Sequence, residues 1–180
     1  MRKRQSAKVA LCGVMCGLAV VVMLSGSIIP CATFCAPAIS GFFLLPVAME
    51  CGMHLAWVCY AAISLMSILL VPDKEMAAIF VFFLGYYPLL KAYLQRIHNR
   101  ILRIVIKILV FNGSILAMYT LLLYLFPIQY LVEEFAQTAG WMLMLLLIMA
   151  NICFWIYDAA LVNVLHLYIL KLKPRLRNLF

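Results

Sequence analysis

The sequence predicts an all-α integral membrane protein, a compact bundle of about six transmembrane helices with both termini cytoplasmic. Three observations predict it. The 180 residues are 68% hydrophobic and only 11% charged, with a mean hydropathy of +1.13, and a soluble domain of this size could not enclose so much apolar surface. The few charges cluster, leaving uncharged runs long enough to cross a bilayer as helices. The alternating ten-residue segments of a transmembrane barrel are missing.

The spans follow in order as 8–29, 35–50, 54–71, 76–92, 101–126 and 140–161. The first begins after the basic MRKRQSAK. A charged start before an apolar run also suits a secretory leader, but the run continues to Ile29 without a convincing cleavage site, so the helix reads as retained. The second span is short and carries Pro46. The third starts after ECGMH and stops at Pro72, the fourth runs from PDKE to YYPLLK, and the fifth ends at Pro127. In membranes such prolines mark loops or tolerated kinks. No repeat, glycine-rich linker or low-complexity stretch divides the chain, which reads as one transmembrane domain over 1–180.

Lys and Arg set the orientation. Arg2, Lys3, Arg4 and Lys8 open the chain. Lys91, Arg96, Arg100, Arg103 and Lys107 surround the connection between the fourth and fifth spans, and Lys171, Lys173, Arg175 and Arg177 close the chain. Six spans put all of these on one side, which the positive-inside rule makes cytoplasmic, and leave only Lys74 outside. The net charge of +8 is thus spent on membrane topology and implies no nucleic-acid partner. The expected setting is the bacterial cytoplasmic membrane, as a multi-pass protein.

Several residues stand out against this apolar background. Ala10, Gly13 and Gly17 share one face of span 1, and GVMCG is a GxxxG; small side chains allow close helix approach, inside the bundle or against a partner. Asp73 can cap span 4, Glu75 suits its helix dipole, and Lys74, the lone outer cation, could attract an anionic ligand. Measured from Trp141 as outer anchor at about 1.5 Å per residue, Asn151 lies about 15 Å deep; from Phe126, Tyr119 lies about 10 Å and Asn112 about 21 Å deep. Polar groups at these depths face other helices or a cavity. On this ruler Asp158 lies about 25 Å from the outside, near the inner boundary and between Trp155 and Tyr157. Lys107, about 28 Å down span 5, is its expected ion-pair partner, with Lys91 next.

Other chemistry is not in view. Seven cysteines cannot all pair with one another, and Cys12/Cys16 and Cys31/Cys35 lack nearby His or acid ligands, so no metal site is expected. His54, His98 and His166 fall in inner loops or beyond span 6. There is no HExxH, GxSxG or membrane aspartate pair, and no P-loop. Neither an enzyme nor a cofactor is expected, and any ATP-driven work falls to a partner.

The stretches CAPAISGFFLLPVAMECG and PDKEMAAIFVFFLGYYPLLK, with the basic N-terminus, Ala/Gly-rich first helix, basic loop between helices 4 and 5 and basic tail, resemble the S components of energy-coupling factor transporters. The resemblance covers nearly the whole chain. It implies a six-helix subunit that captures a small vitamin-like solute from outside, using the outer parts of helices 4–6. It also implies docking through helix 1, at Ala10, Gly13 and Gly17, onto a membrane coupling subunit whose ATPase subunits drive release. The family's ligand residues vary, so Tyr119, Asn151, Trp141, Lys74 and the deeper Asn112 are chosen by depth and chemistry. The alternative reading is a non-transporting scaffold or accessory subunit of a bacterial envelope complex.

Overall fold

The computed structural model describes residues 2–29, 32–95, 97–125 and 140–172. Every regular element among them is helical. Among the described residues five helices are long and apolar enough to cross a membrane: Ser6–Gly26, Met53–Leu70, Lys74–Leu94, Arg100–Leu121 and Met144–Leu170. The chain thus has the character of a multi-pass membrane protein.

Helix α1 (Arg2–Gly26) turns Cys12, Ala19 and Met23 into the bundle. The predicted span 35–50 is two short helices, α2 (Cys35–Phe42) and α3 (Leu44–Glu50), that meet at Phe43. Pro46 explains the break: it has no N–H to give the Phe42 carbonyl, and its ring crowds that oxygen. The two pieces still run beside α1 in the opposite direction. Ala36 lies against Gly26, Ser40 Oγ donates to the Ala19 carbonyl at 2.9 Å, and Cys51 Sγ lies 3.5 Å from the Lys8 carbonyl. From Lys8 to Gly26 is about 27 Å of helix.

Gly52, at φ 99°, makes the left-handed turn into α4 (Met53–Leu70). Helix α5 (Lys74–Ile79) starts at Asp73, whose carboxylate accepts the Met76 N–H at 3.1 Å. A wide π turn over Phe80–Leu84 follows, closed by the Gly85 N–H on the Phe80 carbonyl at 2.8 Å. It leads into α6 (Tyr87–Leu94), with Pro88 in the first turn. Because Pro88 cannot donate to Leu84, that carbonyl takes its hydrogen bond from Tyr157 OH at 3.0 Å. Gly41 makes the crossing possible: a Cβ there would sit 2.5 Å from the Leu84 oxygen and 2.9 Å from Tyr157 OH.

Helix α7 spans Arg100–Leu125, and α8 spans Gly140–Leu167. The sequence reading ends the last span at 161. The helix instead runs on through a π turn over Tyr168–Leu172, since neither Gly nor Pro interrupts residues 162–172. Tyr168 OH reaches Glu50 Oε1 at 3.3 Å, tying this extension to the end of α3.

Two cores result. One joins α1, α2, α3 and α4 to α5 around Ala19, Met23, Val47, Ile63 and Phe80. The other is aromatic and joins the π turn, α6, α7 and α8.

Candidate functional site

The four polar groups that meet in the second core are Tyr87 and Lys91 of α6, Lys107 of α7 and Asp158 of α8. Tyr87 and Lys91 are four residues apart, so α6 presents both on one face. Asp158 Oδ1 accepts Tyr87 OH at 2.6 Å and lies 2.7 Å from Lys91 Nζ. Its other oxygen, Oδ2, lies 2.7 Å from Lys107 Nζ. Lys91 also donates to the Asp158 main-chain carbonyl. Lys107 stands 5.9 Å from the Trp155 ring centroid, within range of a cation–π attraction.

The cluster is nearly closed to solvent, with Lys91 6%, Lys107 8% and Asp158 9% exposed. One helical turn away lies an aromatic plate built from the same faces. Phe83 is four residues before Tyr87, Phe111 four after Lys107, and Phe154 four before Asp158. Their rings meet at 4.9 Å for Phe83–Phe111 and 4.7 Å for Phe111–Phe154. Leu94 and Leu161, also buried, lie one turn to the other side along α6 and α8.

A buried carboxylate is tenable here because three donors surround it, two of them cationic. Lysines without such a partner would snorkel to water; here both ammoniums turn to the acid instead. Tyr87 is the member that the sequence reading missed. Its position one turn before Lys91, on the same face, was the available signal.

The other residues singled out from the sequence do not gather at one place. Asn112 and Asn151 pair across α7 and α8, each amide donating to the other's carbonyl oxygen at 3.3 Å. Each also donates to its own helix, Asn112 to Ile108 and Asn151 to Leu147. Lys74 folds back to cap α4, donating to the Ile68 carbonyl at 2.8 Å and to that of Val71 at 3.1 Å. Tyr119 OH lies 3.4 Å from Glu75 Oε1. Trp141 is 72% exposed in the first turn of α8, where an interfacial anchor would sit. A groove of about 560 Å³ opens on the side of the bundle between α4, the π turn and α7, lined by Tyr60, Tyr86, Val110, Gly113 and Ser114. Its walls are mostly apolar, and Tyr86 OH and Ser114 Oγ bond each other at 2.6 Å.

On α1, Ala10, Gly13 and Gly17 are exposed, beside exposed Val14, Leu18 and Val21. A Cβ added at Gly13 or Gly17 would meet no atom within 4 Å. The face of α1 that packs internally is the one bearing Cys12, Ala19 and Met23.

No family model matches the chain, and neither a curated protein nor a solved structure proved similar to it.

Proposed function

We propose that the chain is the membrane-embedded solute-binding subunit of an uptake system for a small vitamin-like molecule. It docks onto a membrane coupling subunit whose ATPase subunits supply the energy. The observation that carries this reading is the α1 face: a row of small residues, open for its whole length, on a helix whose other side is fully used in the bundle. A GxxxG row that no helix among the described residues fills suits close approach by another helix. The proposal includes six crossings of the bacterial cytoplasmic membrane with both termini inside. The sixth crossing is supported by the α2–α3 stack, which keeps pace with α1 from Gly26 to Lys8. The inside termini rest on the clustering of Lys and Arg.

A second reading, a non-transporting accessory subunit, draws on a different observation. Lys74, Asn112 and Asn151 make their hydrogen bonds within the chain, and the groove on the side of the bundle is mostly apolar. Both readings need a partner at α1; they part on the solute. The chain should be purified in mild detergent with its bound partners and its small-molecule content read by mass spectrometry. A retained polar solute, displaced by Tyr119→Ala or Asn151→Leu without loss of the folded monomer, supports the uptake subunit. A stable complex that holds no solute leaves the accessory reading.

A further inference from the structure

Independently of what docks on α1, the cluster on Asp158 is electrostatically incomplete among the described residues. Two lysines and one carboxylate sum to one excess positive charge, with every member at or below 9% exposed. Among the described residues no second acid reaches either ammonium. Hydrogen-bond capacity points the same way. Each ammonium has three N–H groups. Lys91 uses two, on Asp158 Oδ1 and the Asp158 carbonyl, and Lys107 uses one, on Asp158 Oδ2. That leaves one donor on Lys91 and two on Lys107 without an acceptor among the described residues.

An unbalanced charge away from water is expensive unless a counter-charge joins it. We propose that Lys91 and Lys107 together bind an oxyanion, a phosphate or carboxylate group bearing about one negative charge, which neutralises the cluster and fills the three spare donors. Asp158 holds the two ammoniums in place for it. The Phe83, Phe111 and Phe154 plate closes the side one turn outward in the proposed orientation. The accessible rim is at Trp155, 40% exposed beside Lys107. The group can belong to a free solute or to a lipid headgroup.

The test is the thermal unfolding of the full chain in nanodiscs. One arm uses phosphatidylcholine discs titrated with sodium phosphate or sodium acetate against sodium chloride at equal ionic strength. The other uses discs containing phosphatidylglycerol without added salt. A specific anion at about a hundredfold excess over its dissociation constant should raise Tm by about 7 °C. A response in the first arm identifies a free oxyanion, and one in the second alone a lipid headgroup. Lys91→Met and Lys107→Met each leave a neutral pair and should lose the response. Should these variants not fold, native mass spectrometry of the wild type from the two preparations still decides the matter. One retained oxyanion or anionic lipid per chain is expected. Equal Tm in all conditions with no retained anion overturns the proposal and means that one lysine is neutral instead.

Discussion

Asp158 is a single carboxylate within an apolar stretch of α8, and two lysines and a tyrosine converge on it from two other helices. Breaking such a buried pair by removing one partner commonly costs about 3–5 kcal/mol, because the remaining charge is stranded. Asp158→Leu strands two lysines and should lower the thermal stability of detergent-solubilised protein strongly. Adding Lys107→Leu should recover part of that loss, with a coupling of about 1–3 kcal/mol in a double-mutant cycle. Strictly additive losses would show that the 2.7 Å contact contributes nothing. The partners were legible because helical rise is regular: counting residues from the outer ends of consecutive antiparallel spans brings Lys107 and Asp158 to one level. The second lysine ranked behind the first for want of a constraint on α6, and Tyr87 went unseen because an aromatic beside YYPLLK reads as belt or core. The local bonds of Lys74 were hidden for another reason. Whether a lysine faces solvent or folds back on its neighbour's carbonyls depends on the turn at Val71–Asp73, which composition does not specify.

At the scale of elements, the glycines separate contacts inside the chain from surface left open. Gly41→Leu would drive a side chain into the Leu84 carbonyl and the Tyr157 hydroxyl. It should destabilise the isolated protein by about 1–3 kcal/mol or more, as overpacking does. Gly13→Leu and Gly17→Leu meet open space and should leave its Tm within a degree or two. Equal losses at all three positions would show that the α1 face is packed. The long spans could be read from hydropathy, since a 20-residue apolar run without charge has few alternatives in water. The division into α2 and α3 was visible only as Pro46, a signal shared by a kink and a loop. The π turn at Phe80–Leu84 had no signature beyond the nearby Gly85 and Pro88.

For the whole molecule, the proposed orientation rests on thirteen basic residues that a six-span bundle would place on one side. In a cysteine-free background, a cysteine at Gln137, which lies outside the described residues, should react with an impermeant thiol reagent in intact cells, and one at Gln95 should not. The reverse pattern would invert the bundle or, with the N-terminus still inside, remove the α2–α3 crossing, and labelling of both would show that α7 does not separate the two sites.

The central claim is that this bundle works by docking its α1 face to a membrane partner, and composition of the purified complex tests it most directly. Wild-type chain and Gly17→Leu should be purified in parallel under mild detergent and their subunit masses measured. The account expects the wild type to carry a membrane subunit with ATPase subunits, and Gly17→Leu to emerge as a folded chain without them. A wild type that purifies alone, or a Gly17→Leu variant that keeps the same complex, would contradict it.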